Sequence, residues 1–404
     1  MRPGRIFLFL LAVVLMLSLL TVMVIPEKAG TLALLFRLRG DTTVIAVSDT
    51  AFSKPLADGI SNDTVSSKPA ADTIRYDTVD AKGSSAGSHD TATVDGVEAP
   101  ADTIAAIPFY PGDAIRDSLA AGHQVRIVFY GDSQLEGDRI TSLIRTLLRS
   151  YGGGTGPGLI SPVMPVLYTR SFVVKPSSNW TRYTLLDYKK GIMPDNNLGP
   201  MLSVSRFTKP GERLGTPASA TVKISTVPGA DLPVSKYDRL RIFYGNNHDT
   251  TYVRIFAGGI MVGAARLNEG KGPYEYSTGL EGLSEITAEF IGRMSPDIYA
   301  FSLESDNGII IDNIPVRGSA GLEFVMTDSY TFRESFKKLD PDIIVMLYGL
   351  NVVKNVRSEY HYYEEGLVRQ IEYLREVSGR VPIILVSLTD MAQKMGDTIT
   401  SYRN

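Results

Sequence analysis

A serine that lies between a strand-like run and a helix-like run is the residue best placed for chemistry in this sequence. Residues 125–130 are β-branched and aromatic, which is typical of a strand buried in a parallel sheet. Gly-Asp-Ser follows at residues 131–133, and the apolar residues after it recur at spacings of three and four, which indicates a helix. A serine in such a turn projects its hydroxyl above the carboxyl edge of the sheet, where a helix N-terminus offers N–H groups to an anion. Ser133 therefore meets the requirements of an acyl-transfer nucleophile, and the alternative is a serine that only caps the helix.

Composition excludes several other kinds of chemistry. The 404 residues carry 41 basic and 44 acidic side chains, so no excess of positive charge is available to bind a nucleic acid backbone. Because the chain has no cysteine, thiol catalysis, disulfides, zinc–thiolate sites and iron–sulfur clusters are excluded. No metal and no organic cofactor is implied. The histidines that could act as a base are His89, His123, His248 and His361.

The segment around the serine resembles a known family. Residues 131–137 read Gly-Asp-Ser-Gln-Leu-Glu-Gly, which looks like the first block of the GDSL, or SGNH, hydrolase family, including the glycine four residues after the serine. Far downstream, residues 343–348 read as another buried strand and lead into Gly349-Leu350-Asn351, which resembles the Gly-x-Asn block of that family. The usual aspartate after this block is Val352 here.

The resemblance implies an oxyanion hole built from two distant stretches of chain. In the family the asparagine side chain completes the hole, which assigns this role to Asn351. A third strand-like run ends in a glycine turn at Gly318, where the glycine of the family's second block would fall. The alternatives are an Asx turn at Asn351 and an ordinary loop glycine at Gly318.

Two regions with different patterns form the predicted globular part. The predicted fold class is α/β, a flavodoxin-like three-layer SGNH domain with a parallel sheet, made of residues 109–172 and 307–404. Residues 173–306 contain short alternating runs separated by Gly, Pro, Asn and Asp, which predicts an inserted β-sandwich. This arrangement is similar to that of bacterial peptidoglycan O-acetylesterases, whose insert resembles carbohydrate-binding modules. Trp180 and Tyr183 could stack on sugar rings, or they could be core aromatics.

The histidine base expected of the family has no counterpart at the expected spacing. SGNH enzymes activate the serine with a histidine in an Asp-x-x-His block near the C-terminus, and the sequence contains no such spacing. Without a base we expect acylation to be slower by about 10⁴-fold or more. The last apolar run, residues 381–388, lies close to the end, whereas a sheet in the order 2-1-3-4-5 expects one more strand. We therefore interpret the chain as C-terminally truncated, with Asp and His on a separately encoded piece or in a broken reading frame.

The N-terminal part predicts a membrane anchor and a tether. Residues 6–25 carry no charge and are long enough to cross a bilayer, and the exit from this run lacks a small-x-small cleavage site. We interpret residues 1–27 as an uncleaved single-pass anchor in the cytoplasmic membrane, with the globular part outside the cytoplasm. Residues 28–108 are predicted to be a disordered linker rich in Asp, Thr, Ser and Ala.

Within this linker Asp-Thr recurs before apolar residues. The pattern resembles the acceptor of a general bacterial O-glycosylation system, and the alternative is a linker that is only compositionally biased. The implied acceptors are Thr50, Thr64, Thr73, Thr78, Thr91 and Thr103.

The resemblance implies an extracytoplasmic serine esterase. Its expected substrate is a cell-envelope polysaccharide or peptidoglycan, from which it would remove O-acyl groups, in the first place O-acetyl groups. One alternative is an O-acyltransferase with a sugar hydroxyl as acceptor, for which a membrane-bound O-acyltransferase would be the expected partner. Another is a non-catalytic glycan-binding protein.

Overall fold

The computed structural model describes residues 42–45, 111–166, 168–227, 237–282, 285–353, 359–386, 392–395 and 398–401. They all belong to one compact unit of the chain. The predicted anchor, residues 1–27, and the six candidate glycosylation threonines lie outside the described residues. Among the described helices none has both the length and the apolar character that a membrane crossing requires.

A five-stranded parallel sheet forms the α/β part of the described chain. Its strand order is β1-β16-β15-β2-β14, and every neighbouring pair is parallel. The strands are β1 Thr42–Ile45, β2 Gln124–Gly131, β14 Gly308–Pro315, β15 Ile343–Leu347 and β16 Ile383–Val386. If β2, β14, β15 and β16 are counted as strands 1, 2, 3 and 4, their order in the sheet is 2-1-3-4, as predicted. The sandwich is inserted between β2 and β14.

The fifth position of the sheet differs from the sequence-based expectation. It is occupied by Thr42–Ile45, a segment of the predicted disordered linker, which pairs in parallel with Ile383–Val386. The sequence predicts a strand from beyond the last apolar run in this place. Thr-Thr-Val-Ile is β-branched throughout, which suits a strand, and its pairing covers an edge of apolar residues that would otherwise be open.

Helices cover both faces of the sheet, as in a three-layer fold. On β2, Val125, Ile127 and Phe129 point to one face, whereas Val128 and Tyr130 belong to the core on the other face. The first face packs against helices α1 Pro111–Ala120 and α2 Arg139–Gly152, and the second against α4 Ser329–Leu339 and α6 His361–Ser378. Because both faces are buried, β2 is apolar on both faces from Ile127 to Tyr130, and Arg126 is the charged residue within it.

Two antiparallel sheets lie between β2 and β14, where residues 173–306 are predicted to form a β-sandwich, but the sandwich begins earlier, because Gly158–Ile160 in the predicted first part of the α/β domain already pairs with it. One sheet has the order β10-β9-β12-β7-β4 and the other β11-β8-β13-β6-β5, with β3 paired to β13. The strands are β3 Gly158–Ile160, β4 Phe172–Pro176, β5 Thr181–Thr184, β6 Ser203–Arg206, β7 Ala218–Thr226, β8 Arg239–Gly245, β9 Thr251–Ala257, β10 Ile260–Arg266, β11 Tyr274–Gly279, β12 Ile286–Gly292 and β13 Asp297–Glu304. All of their pairings are antiparallel.

Shorter elements complete the described chain. They are the 3₁₀ turns Ser133–Asp138 and Phe324–Met326, the helices α3 Leu185–Lys189 and α5 Leu350–Val353, and the hairpin β17 Ala392–Met395 with β18 Thr398–Ser401.

A buried cluster of charges joins the parallel sheet to the sandwich. Arg126 on β2 donates to both carboxylate oxygens of Asp312 on β14, at 2.9 and 3.0 Å, and also binds Glu304 on the sandwich strand β13. Glu304 additionally binds Arg239 and Arg241. Burial opposes the ionisation of Glu304, but the neighbouring Arg126 and Arg241 outweigh it and lower the pKa of its carboxyl to about 2.

Candidate active site

Three strands of the parallel sheet end at the same level. Gly131 at the end of β2 is paired with Pro315 on β14 and with Leu347 on β15. The loops that follow these strands therefore start side by side at the carboxyl edge of the sheet. This edge brings the three sequence-predicted site segments together, although they are far apart in the chain.

The serine lies in a tight turn directly after β2. The N–H group of Asp132 donates to the carbonyl of Leu347 at 3.3 Å, and the buried Asp132 carboxylate accepts the N–H of Gln134 at 2.8 Å. Ser133 begins the 3₁₀ turn and is half-buried. A Cβ atom at position 131 would lie 2.8 Å from the Leu347 carbonyl oxygen, so the strand can enter this turn only with glycine.

The loop after β14 turns at Gly318. Val316 N–H donates to the carbonyl of Gly131 at 2.8 Å, and Ser319 N–H donates back to the carbonyl of Val316 at 3.1 Å. Gly318 has φ +75°, a conformation that favours glycine, and no atom lies within 4 Å of the position that a Cβ would take. The loop is thus tied to the end of the serine strand, while the space at Gly318 is open.

Asn351 connects the serine turn with the glycine loop. It lies in the short helix Leu350–Val353 after β15, and its Nδ2 donates to the carbonyl of Ser319 at 2.8 Å. The same nitrogen makes a longer contact of 3.4 Å with Oδ2 of Asp132, the residue before Ser133. One side-chain amide therefore touches a residue adjacent to Ser133 and a residue adjacent to Gly318. A group of this kind can donate a hydrogen bond to an anion that forms between the two loops.

Several supporting residues were not found by sequence reasoning. Ser319 Oγ donates to Glu323 at 2.6 Å and accepts the N–H of Gly321 at 2.8 Å. The hydroxyl of Tyr363 donates to the carbonyl of Ala320 at 3.0 Å. Burial, with the negative charges of Glu323 and Asp132, raises the pKa of Tyr363, so its hydroxyl remains a neutral donor at neutral pH. These contacts depend on chain segments that meet only in the folded protein, and no local pattern marks them.

The described histidines have partners other than the serine, or lie at the other end of its strand. His123 is exposed and precedes β2, so it is at the far end of an eight-residue strand, roughly 25 Å from the serine turn. His248 Nε2 lies 2.7 Å from Asn246 Oδ1 in the sandwich, and His361 is exposed, with Glu359 and Glu364 each at 3.6 Å. Within the described ranges none of these three hydrogen-bonds to Ser133, and His89 lies outside them.

The proposed sugar-stacking role of two aromatics is wrong. Trp180 is only 7% exposed and Tyr183 only 6% exposed, so neither presents a ring to solvent. Trp180 packs edge-on against Phe207 and Phe290, with ring centroids 5.6 and 5.5 Å apart. Both are core aromatics: Trp180 belongs to the core between the two sandwich sheets, and Tyr183 to the core that also contains Val128 and Tyr130 of β2.

Comparisons with known proteins show similarity at the level of the fold. No protein-family model and no curated protein matches the chain. A solved peptidoglycan O-acetylesterase superposes with a TM-score of 0.52 at 15% sequence identity, over 70% of this chain and 73% of that chain. The chain thus shares its fold with an esterase.

Two further structures are similar over parts of the chain, with TM-scores too low to carry an argument. A family two carbohydrate esterase from Cellvibrio japonicus has a TM-score of 0.18 at 8% identity, over 56% of this chain and 81% of that chain. A family 6 carbohydrate-binding module has a TM-score of 0.20 at 12% identity, over 33% of this chain and 87% of that chain.

Proposed function

We propose that this chain carries the nucleophile and the oxyanion hole of an SGNH-type serine esterase that removes O-acyl groups, in the first place acetyl, from a cell-envelope glycan. Ser133 is the nucleophile, and the donors are the N–H groups of Ser133 and Gly318 and the Nδ2 of Asn351. The observation that carries the proposal is the position of Asn351 Nδ2, within 2.8 Å of the Ser319 carbonyl and 3.4 Å of Asp132. The fold shared with a peptidoglycan O-acetylesterase supports the same substrate class.

The reaction follows from these positions. Ser133 Oγ attacks the ester carbonyl carbon, its proton passes to a base, and the carbonyl oxygen becomes an oxyanion. The oxyanion replaces Asp132 Oδ2 as an acceptor of the Asn351 Nδ2 group. The shorter hydrogen bond from the same nitrogen to the Ser319 carbonyl keeps the amide in position. Collapse of the intermediate breaks the bond to the sugar oxygen, which receives the proton. Water then attacks the acyl-serine and releases the carboxylic acid.

The base in this proposal is a histidine oriented by an aspartate. We place both outside the described residues, because no described histidine is hydrogen-bonded to Ser133. No observation on the described residues favours an O-acyltransferase or a non-catalytic glycan-binding protein over an esterase.

A covalent probe tests the proposal. We expect a fluorophosphonate to label these 404 residues slowly, with the adduct located on Ser133 by peptide mass spectrometry. Free imidazole, supplied as an external base, is expected to accelerate this labelling. A modified residue other than Ser133, or no adduct even with imidazole, would contradict the assignment.

Asn351→Ala is expected to slow imidazole-supported labelling of Ser133 by about 10²- to 10³-fold, since one oxyanion donor is lost. The rate is measured as adduct formed over time by intact mass. Asn179→Ala is the matched control, because the amide of the exposed Asn179 donates to the carbonyl of Ser219 in the sandwich, and its rate should be unchanged. An Asn351→Ala rate within about twofold of the parent, with the fold intact by circular dichroism, would remove Asn351 from the oxyanion hole.

A further inference from the structure

A shallow groove of about 410 Å³, wide open to solvent, lies beside the serine turn. Glu136 and Gly137, which end the Gly-Asp-Ser block, line one side, and the rest is lined by Arg139, Val166, Tyr168, Thr169 and Arg170. The N–H of Arg170 donates to the carbonyl of Gly137 at 3.0 Å, so the two sides are held together by the backbone. We call this feature the Tyr168 groove.

Tyr168 is the most exposed large apolar side chain among the described residues, at 79%. A ring this exposed contributes little buried area to folding, so stability does not account for it. Aromatic rings with one face in solvent are suited to stacking on the apolar face of a sugar. Tyr168 therefore offers the exposed ring for sugar stacking that the buried Trp180 and Tyr183 do not offer.

The charges around the groove are positive. Arg139 and Arg170 are both exposed. Arg139 Nε donates to the backbone carbonyl of Glu136 at 3.1 Å, and neither arginine forms an ion pair with a described carboxylate. The acidic side chain of the groove, Glu136, is bound through both oxygens by Arg317, at 2.7 Å each. Arg317 therefore neutralises the charge of Glu136, and the guanidinium groups of Arg139 and Arg170 can attract an anion.

The groove is connected to the proposed oxyanion loop. Arg317 directly precedes Gly318, and its bond to Glu136 links that loop to the 3₁₀ turn that begins at Ser133. A glycan with its ester at Ser133 could place a neighbouring sugar in the groove.

We propose that the Tyr168 groove binds an acidic sugar of the glycan substrate, with its ring on Tyr168 and its carboxylate paired to Arg139 and Arg170. Describing this sugar as part of the substrate rests on the proposed function. The sugar chemistry is set by the groove itself, because an exposed ring beside two guanidinium groups matches a carboxylated pyranose better than a neutral one.

Calorimetric binding to the Ser133→Ala protein tests the proposal without turnover. The probes are a tetrasaccharide of alternating N-acetylglucosamine and N-acetylmuramic acid, which is acidic, and the neutral tetramer of N-acetylglucosamine. We expect the acidic probe to bind at least about tenfold more tightly, and the preference to weaken as salt rises. Arg139→Ala with Arg170→Ala should abolish the preference, and Tyr168→Ala should weaken binding of both probes by about tenfold. Arg170→Lys should keep most of the preference because it keeps the charge.

Controls in the sandwich use side chains of the same type. Tyr252→Ala replaces an exposed tyrosine on β9, and Arg254→Ala removes an arginine that is paired with Glu289, so neither should change binding. Equal affinity for the two probes, absence of binding by the acidic probe, or a preference that survives the double arginine variant would overturn the proposal.

The outcomes separate this proposal from the proposed function. Binding does not require the Ser133 hydroxyl. Charge-dependent binding without any Ser133 adduct would therefore support the proposed sugar site and contradict the proposed esterase function. Labelling at Ser133 without a preference for the acidic probe would retain the esterase and reject the groove.

Discussion

Replacing Ser133 with alanine is expected to remove all fluorophosphonate labelling from the chain and to lower ester hydrolysis, assayed with imidazole as the external base, by at least about 10⁴-fold. The reason is that Ser133 Oγ is the atom that forms the bond to the acyl carbon. Removing it leaves only the oxyanion donors, which stabilise charge but form no covalent intermediate. The measurements are intact mass after labelling and acetate released from an O-acetylated glycan.

Ser150→Ala is the matched control for this experiment. Ser150 lies on α2, where its Oγ donates to the carbonyl of Leu147 on the exposed surface. Its replacement should leave both readouts unchanged. If Ser133→Ala retained labelling or more than about a hundredth of the hydrolysis, the nucleophile would have to be another residue.

Arg126→Met is expected to destabilise the folded unit by about 3–5 kcal/mol, because Asp312 and Glu304 would remain buried with their main counter-charge removed. Methionine keeps much of the side-chain length, so the loss reflects charge more than volume. Denaturant unfolding followed by circular dichroism measures the change in free energy.

The matched control for Arg126→Met is Arg254→Met, since Arg254 pairs with Glu289 on the solvent side of the sandwich and should contribute less than about 1 kcal/mol.

The pH dependence of unfolding gives a second test of Arg126→Met. The lowered pKa of Glu304 contributes stability above about pH 4.5 that is lost as pH falls towards 2. The difference between parent and Arg126→Met should therefore shrink on acidification through this range. A constant difference, or a loss no larger than that of Arg254→Met, would show that the cluster does not carry this stability.

The serine turn could be predicted because its signals are local. An apolar run, Gly-Asp-Ser and a helical period are adjacent in the sequence, and each strand's carboxyl end must lie at one edge of a parallel sheet. For the same reason the ends of the strands before Gly318 and Asn351 could be placed beside Ser133. The parallel sheet and the inserted sandwich followed from their different periodicities, and both are confirmed.

Other features depend on which distant segments meet, and they were missed or misread. Thr42–Ile45 is a short run in a polar segment, and only the open edge of Ile383–Val386 makes it a strand. Trp180 and Tyr183 look equally suited to a surface and to a core, and their burial is decided by the distant residues of the two core clusters that they join. The contacts of Glu323 and Tyr363 with the loop after β14 depend on tertiary packing, which no local spacing encodes.

The position of Thr42–Ile45 has a consequence for the assembly of the sheet. Ile383–Val386 has β15 on one side and Thr42–Ile45 on the other, so both of its hydrogen-bonding edges are taken. Another strand could pair with Ile383–Val386 only by strand exchange, with Thr42–Ile45 leaving first. The rate of such pairing would be limited by that departure rather than by the concentration of the incoming strand.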